Sequence, residues 1–307
     1  MTVKRLILNC DDFGQSPAMN AAIMHLLEEG KVSSATLMAP APGFAEAAAW
    51  CRRRARPNIG LHLTFNSEFE AWRWTSLTGH PSLHDDTGCL YRTVEEFERK
   101  ADAAAVVREM EAQLAAVRKY GIDVTHADNH MGSLYGIATG RSFVPQAVRF
   151  CARHRLPFRL FRRVFPEDPL LSAIPGVERA VARASALAGV LGVAIPDYLL
   201  SHPYAVQEGE TYDTFKRSLI GKLYRLPEGV CETYIHPAVD DAEMRRKIPN
   251  WEKRVWEFRL MLDDDFAYAL RDAGVELVDY RHVRAFGRAG RFRSLWELAK
   301  AVWKSPP

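Results

Sequence analysis

The sequence lacks the features that define several classes of protein. Its five cysteines are odd in number and form no Cys-x-x-Cys pair, which argues against a disulfide framework or a thiolate zinc site. No apolar run reaches the ~18 residues of a transmembrane helix, and the first residues are too short for a signal peptide. The net charge of +3 is too small to indicate nucleic-acid binding, and no nucleic-acid-binding motif accompanies it. We therefore expect a cytoplasmic protein that binds no nucleic acid.

What is present fits one large α/β domain. Apolar residues make up 48% of the 307 residues and charged residues 26%, an ordinary globular composition. Short apolar runs alternate with longer helical patterns, which is typical of repeated βα units. The predicted strands are 4–10, 32–39, 58–63, 123–128, 157–161, 197–201, 230–236 and 275–279. The predicted helices are 17–29, 43–55, 94–120, 141–154, 176–192, 211–224 and 251–273.

This number of βα units predicts an irregular TIM-like (β/α) barrel of seven to eight strands, with an open doubly wound sheet as the alternative. We assign residues 1–285 to the barrel. We expect residues 286–307 to form a C-terminal amphipathic helical tail, because aromatic and basic residues recur there at helical spacing. The tail predicts a docked helix or a subunit contact, as in a homodimer, and membrane-surface association is the less favoured alternative.

The most informative segment is Asn9-Cys10-Asp11-Asp12-Phe13-Gly14, which follows the apolar run Leu6-Ile7-Leu8. Two adjacent carboxylates at the end of a buried strand need a cation or hydrogen-bond donors, because burying an unpaired carboxylate costs several kcal/mol. One Asp is suited to bind a metal and the other to transfer a proton. The alternative is that Asp11 or Asp12 caps a helix that begins near Pro17.

Histidines and a further carboxylate follow other predicted strands. His62 ends the strand Asn58 to Leu63, His126, Asp128 and His130 end the next, and His236 comes after Cys231 to Ile235. The carboxyl ends of barrel strands converge on one face, where active sites are built. Taken alone, His62 is better explained as a hydrogen-bonded histidine at a strand end, and His126 has either a supporting or a packing role. Together, two histidines and a carboxylate fit an open divalent-metal site for zinc, magnesium or another first-row metal.

The chain resembles the YdjC-like carbohydrate deacetylases, which include chitooligosaccharide deacetylases and relatives associated with hopanoid biosynthesis. Four motifs in order carry this resemblance over nearly the full length: Asn9-Cys10-Asp11-Asp12-Phe13-Gly14, Gly60-Leu61-His62-Leu63, Thr125-His126-Ala127-Asp128-Asn129-His130 and His236-Pro237. The chain departs from the family pattern at Met131, where many members have further histidines, and at Ala238, where the family has glycine.

The resemblance implies an irregular barrel with an Asp-His-His metal site, and by position it gives the metal roles to Asp12, His62 and His130. It implies Asp11 as the catalytic base and His236 as the general acid. Arg159 matches an arginine near the base. The implied reaction is removal of an acetyl group from an N-acetylated sugar or glycoconjugate by a metal-dependent hydrolase, with Mg²⁺ or Zn²⁺ as the cofactor. Two alternatives are a metal-dependent phosphoester hydrolase and a non-catalytic metal- or sugar-binding protein.

The segment 64–93 has no evident secondary structure, and loops of this length in compact domains often line a site. Trp72 and Trp74 within it are candidates for stacking on a sugar. The alternative is that these side chains attach the loop to the barrel. Asp128 is a further substrate-binding candidate.

Overall fold

The structure is a computed structural model that describes most of the chain. The described residues are 3–54, 58–165, 167–168, 170–283, 290 and 294–298. Most of the predicted C-terminal tail lies outside these ranges, and residues 294–298 within it are helical. No described helix has both the length and the apolar composition needed to cross a membrane.

A single parallel sheet of seven strands forms the centre of the described protein. The strands are β1 (Lys4–Phe13), β2 (Ser34–Leu37), β3 (Ile59–Leu63), β4 (Ala127–Asn129), β5 (Tyr198–Leu200), β6 (Gly229–Ile235) and β7 (Val275–Leu277). Their order is β4-β3-β2-β1-β6-β5, with β7 paired to the first residues of β1. The α/β class and parallel sheet are confirmed, but a closed barrel of seven to eight strands is wrong, since the sheet is curled and open.

The difference lies at residues 157–161, which we expected to form a strand. Only Phe158 makes a β-bridge, to Ala127 of β4. The Arg159 N–H donates to the Ala127 carbonyl at 2.9 Å, while the Phe158 N–H donates to Ala194 at 3.0 Å. Pro157 has no N–H to donate, so a continuous ladder of hydrogen bonds with β4 does not form. The segment instead makes single hydrogen bonds, one to β4 and one to Ala194 before β5, and does not connect these two edges of the sheet.

Ten α-helices, besides the helical residues 294–298, surround the sheet in the described part of the chain. They are α1 (Pro17–Glu28), α2 (Phe44–Arg52), α3 (Val94–Lys100), α4 (Ala103–Lys119), α5 (Val144–His154), α6 (Val177–Leu191), α7 (Tyr212–Arg225), α8 (Ala242–Lys247), α9 (Trp251–Met261) and α10 (Asp264–Asp272). Two helices predicted as continuous are each divided. Asp102 caps α4 by accepting from the Ala105 N–H at 2.8 Å, and Asp263 caps α10 in the same way through Asp265, at 2.9 Å.

Strand β1 occupies the centre of the sheet because its apolar residues are suited to burial on both faces. Leu6, Ile7 and Leu8 have no exposed surface. The strand pairs with β6 along Lys4 to Cys10 and with β2 from Asn9 to Phe13. Strands buried on both faces are typical of parallel sheets covered by helices, and such a strand fixes the residues at its carboxyl end in a rigid frame.

Candidate active site at the carboxyl ends of the strands

Asp11 and Asp12 line one cavity although they are adjacent in a strand. Neighbouring strand residues normally point to opposite faces of a sheet. Here the register with β2 shifts between Cys10 and Phe13, where β1 contains one residue more than its partner. Asp12 sits at this bulge with φ of 62°, in the left-handed region. The bulge therefore turns both carboxylates towards the same space, as bulges beside active sites commonly do.

Asp12, His62 and His130 form a cluster able to hold a metal ion. Asp12 Oδ1 lies 3.3 Å from His62 Nε2 and 3.0 Å from His130 Nδ1. The three ligand atoms all lie within 4.8 Å of one another. Asp12 Oδ1 is buried and makes no well-formed hydrogen bond within the described part of the chain. A buried acceptor facing two imidazole nitrogens fits a divalent cation, so these residues are suited to the group that the sequence predicts.

Each member of this cluster has a second partner that fixes its orientation. His62 Nδ1 lies 2.7 Å from Asp128 Oδ1, and His130 Nε2 lies 2.9 Å from Glu68 Oε2. Carboxylates commonly hold metal-binding histidines in this way, and they select the imidazole tautomer that presents a lone pair. The other carboxylate oxygen of Asp12, Oδ2, accepts two hydrogen bonds of 3.1 Å from the Arg254 guanidinium.

Neighbouring charges strongly shift the pKa values of Asp12, His62 and His130. Burial disfavours the carboxylate of Asp12, but His130, His62 and Arg254 outweigh it and hold the pKa of Asp12 well below its usual range. Burial likewise disfavours both imidazolium ions. Neighbouring carboxylates nevertheless raise the pKa of His62 to about 10, chiefly through Asp128, and that of His130 to about 9, chiefly through Glu68. Without a metal, both imidazoles therefore hold a proton at neutral pH, and a cation that binds to them takes the place of those protons.

Asp11 is held by a buried arginine. Arg159 donates to its two oxygens at 2.6 and 2.7 Å, and the Asn9 amide donates to one of them at 2.8 Å. The same guanidinium contacts Asp128 and Glu232, each at 2.9 Å. Burial, only partly offset by Arg159, raises the pKa of Glu232 to about 7. Arg159 therefore fixes Asp11 and also links it to the carboxylate behind His62.

Asp128 itself has no exposed surface. Its oxygens are bonded to His62, Arg159 and the Thr36 hydroxyl, which donates at 2.9 Å. The structure therefore places this predicted substrate-binding candidate behind the histidine.

His236 lines the same cavity at the end of β6. Its backbone N–H donates to Glu257 at 2.6 Å, while the buried Nδ1 has no hydrogen-bond partner among the described residues. The ring packs edge-on against Tyr204 and Tyr234, with centroid distances of 5.2 and 5.7 Å. Burial lowers the pKa of His236. The buried Nδ1 lies 3.9 Å from Glu257 Oε2, and the residue lines the cavity, where an imidazole is suited to exchange a proton with a bound ligand.

The two tryptophans of the long loop lie in different places. Trp74 is buried, with its ring centroid 6.2 Å from that of His130. Trp72 lines a small separate pocket, and the Lys247 ammonium lies 4.6 Å from its ring centroid. Neither ring is part of the wall of the main cavity. Burial of Trp74 behind a metal-ligand candidate matches the alternative in which it attaches the loop, and sugar stacking by either ring stays a prediction.

Several supporting residues were not identified from the sequence: Glu68, Arg254, Tyr204, Glu232 and Glu257. Glu68 lies in the loop that the sequence pointed to, so the loop was the available signal. Arg254 lies on α9, 242 positions from Asp12, and no local pattern distinguishes it from a surface arginine. His126, for which two roles were open, is a packing residue, because its ring stacks on Tyr280 at 3.9 Å.

Comparison with known proteins finds one matching family model and relatives that are named carbohydrate deacetylases. A model of the family described as YdjC-like protein matches residues 5–272. A carbohydrate deacetylase of Geobacillus stearothermophilus is 27% identical over 282 residues, covering 90% of this chain and 96% of that protein. Carbohydrate deacetylase 1 of Listeria innocua is 26% identical over 280 residues, covering 90% and 99%. A solved Enterococcus faecalis structure, proposed to be a cellobiose-phosphate cleavage protein, shares the fold with a TM-score of 0.71 at 24% identity, over 91% of this chain and 98% of that one.

Proposed function

The chain belongs to the YdjC-like family, and from this premise we propose that it is a metal-dependent carbohydrate N-deacetylase. The substrate is an N-acetylated sugar or glycoconjugate, and the products are acetate and a free amine. The observation that carries the proposal is the shared cavity: the candidate metal ligands Asp12, His62 and His130 line it together with Asp11 and His236. The names of the relatives from Geobacillus and Listeria support the same reaction class.

The residues divide the chemistry between them. A divalent ion held by Asp12, His62 and His130 supplies polarisation of the acetamide carbonyl and a lowered pKa for water. Asp11 accepts a proton from the attacking water, and Arg159 fixes its carboxylate in the orientation for this transfer.

His236 donates a proton to the sugar nitrogen as its bond to the acetyl carbon breaks. This residue lines the cavity, and burial lowers its pKa, which makes its imidazolium form a stronger acid than that of a free histidine.

The geometry disfavours both alternatives. Asp11, His62 and Asp128 form a second cluster of metal-ligand type, but the guanidinium of Arg159 is bonded to both of its carboxylates. Within the described residues, that arrangement leaves no second metal position of the kind that two-metal phosphoester hydrolases use. A non-catalytic binding protein is disfavoured because Asp11 and His236 both face the cavity of the metal cluster.

The test measures acetate release from N-acetylglucosamine and N,N'-diacetylchitobiose, with the protein loaded with Zn²⁺ or Mg²⁺ and after chelation. We expect release that is lost on chelation and falls about 10²- to 10⁴-fold in Asp11→Asn. Asp123→Asn changes an exposed carboxylate and is the matched control. Undiminished release from Asp11→Asn, or from the chelated protein, would falsify this mechanism.

A further inference from the structure

Arg254 is an arginine buried in the wall of the main cavity, where it joins two oxygen atoms from distant segments. Its Nη1 and Nη2 each donate to Asp12 Oδ2 at 3.1 Å. Its Nη2 and Nε also donate to the Tyr204 hydroxyl, at 2.6 and 3.2 Å. Burying a charge is costly unless it is paired and hydrogen-bonded, and here the whole guanidinium serves these contacts. Arg254 therefore holds the Tyr204 hydroxyl close to a candidate metal ligand.

The Tyr204 hydroxyl keeps its own O–H available for a ligand. Both bonds from Arg254 use the phenol oxygen as the acceptor, because a guanidinium has donors only. Within the described ranges of the chain, the hydroxyl donates to no other group. A phenol is protonated at neutral pH, so the proton is present. Because hydrogen bonds in a chain polarise one another, accepting from a cation makes this O–H a stronger donor.

Tyr204 also borders the space in which the proposed reaction takes place. It lies between β5 and α7, lines the main cavity and has 37% of its surface exposed. Its ring lies edge-on to that of His236, with the centroids 5.2 Å apart. Its hydroxyl is linked to Asp12 Oδ2 through one nitrogen of Arg254. Tyr204 thus contacts the proposed general acid with its ring and reaches towards the metal cluster with its hydroxyl.

A group that can only donate at this place needs an acceptor on the substrate. The acetamide oxygen is that acceptor, and it gains negative charge when water attacks the acetyl carbon. The acetamide N–H is itself a donor, and the nitrogen receives its proton from His236 in the proposed reaction. A sugar hydroxyl is able to accept, but its charge does not change during hydrolysis. The two acceptors are therefore distinguishable by kinetics.

We propose that Tyr204 is a further catalytic residue, whose hydroxyl donates a hydrogen bond to the acetamide oxygen as negative charge develops there. This inference rests on the proposed function and adds a residue to it. When water bonds to the acetyl carbon, the electron pair of the carbonyl moves to its oxygen, and it returns when the bond to the sugar nitrogen breaks. Tyr204 keeps its proton throughout. Arg254 is a positioning residue, because it fixes the phenol oxygen with two hydrogen bonds.

Tyr204→Phe tests the hydroxyl alone, with acetate release from N,N'-diacetylchitobiose as the assay. Loss of one preorganised donor to a developing oxyanion lowers kcat about 10²- to 10³-fold, and we expect KM to change less than about threefold. Tyr198→Phe is the matched control, because that hydroxyl also accepts from an arginine, Arg163, but does not line the cavity. We expect its kcat to equal that of the wild type. A rise in KM at unchanged kcat assigns the hydroxyl to a sugar group and overturns the inference, as does no change in either.

A binding measurement adds a readout that does not depend on turnover. In a methylphosphonamidate of glucosamine, a tetrahedral phosphorus with anionic oxygen replaces the acetyl carbon. By calorimetric titration we expect Tyr204→Phe to weaken binding of this analogue about 10²- to 10³-fold and that of N-acetylglucosamine less than about threefold. Equal affinity of wild type and variant for the analogue, in a protein that releases acetate, overturns the inference alone. Absence of acetate release from the wild type refutes the proposed function, on which the inference rests.

A double-mutant cycle tests the positioning role of Arg254. Arg254→Lys keeps a positive charge near Asp12 but loses the pair of bonds to the phenol oxygen. The ratio of kcat with and without the Tyr204 hydroxyl is measured in both backgrounds. If Arg254 acts through this hydroxyl, we expect the ratio to be smaller by at least about tenfold in Arg254→Lys. The same ratio in both backgrounds overturns the positioning role.

Discussion

Replacement of Arg159 by leucine tests the charge network behind the site. The guanidinium is the shared partner of three buried carboxylates, those of Asp11, Asp128 and Glu232, and it bonds each at 2.9 Å or less. Removing one partner of a buried ion pair typically costs about 3–5 kcal/mol, because the remaining charge stays buried without compensation. With three carboxylates affected, we expect the free energy of unfolding at pH 8 to fall by at least about 4 kcal/mol, a large part of the ~5–15 kcal/mol of a typical domain.

The pH dependence distinguishes this cause from lost packing. In the folded wild type the pKa of Glu232 is about 7, above its ordinary 4.5, so the protonated form favours folding. That contribution is complete below about pH 4.5 and is lost as the pH rises through about 7. Without Arg159 the pKa of Glu232 rises further, and that of Asp128 rises from its lowered value of about 2. We therefore expect the stability deficit of Arg159→Leu to be smaller at pH 5.5 than at pH 8.

Urea denaturation of metal-free wild type and variant at both pH values measures these deficits. Arg163→Leu is the control, because Arg163 lies four residues away and is exposed, and its guanidinium donates a long hydrogen bond of 3.3 Å to the Tyr198 hydroxyl. We expect that variant to lose less than about 1 kcal/mol. A deficit for Arg159→Leu that is equal at the two pH values would refute the electrostatic reasoning and assign the loss to packing.

Three further predictions concern single contacts. Glu68→Gln weakens the bond to His130 Nε2, so the dissociation constant for Zn²⁺ in a chelator competition should rise about 10- to 100-fold, while the exposed neighbour Glu70→Gln leaves it unchanged. His236→Gln should lower kcat for acetate release about 10²- to 10⁴-fold with little change in KM, and a loss confined to KM would contradict a role in proton transfer. Asp102→Ala removes the cap of α4 and should cost about 1 kcal/mol in urea denaturation, whereas an unchanged midpoint would show that the cap is dispensable.

The sequence was informative where function depends on strand ends. Parallel strands bring their carboxyl ends together, so Asp11, Asp12, His62 and His130 were predicted to converge from their positions alone. They do line one cavity in the structure. The helix boundaries at Asp102 and Asp263 were missed because an Asp inside a helical pattern is also an ordinary surface residue, and its capping role depends on local backbone geometry.

Other features depend on tertiary placement and leave no local trace. The pairing of Arg254 with Asp12 joins residues 242 positions apart. The apolar face of α6 has the same sequence pattern as a helix that packs on a core, so the sequence alone does not show that it lines a cavity. The bulge at Asp12 was equally hidden, since the usual signal for a positive φ is glycine. The missing eighth strand follows from the hydrogen bonds of Phe158 and Arg159, which a run of strand-forming residues does not specify.

Strand β1 with its bulge is a rigid support for Asp11 and Asp12, whereas the rest of the cavity wall is free to vary in sequence. Asp11 and Asp12 sit on the strand that pairs with three others, so their positions are fixed by the best-connected part of the sheet. The rest of the cavity wall comes from connecting segments and from one face of α6. Substitutions in these walls change the shape of the cavity without moving Asp11 or Asp12. A scaffold organised in this way is suited to acquire new substrates through changes in its walls while the hydrolytic chemistry is retained.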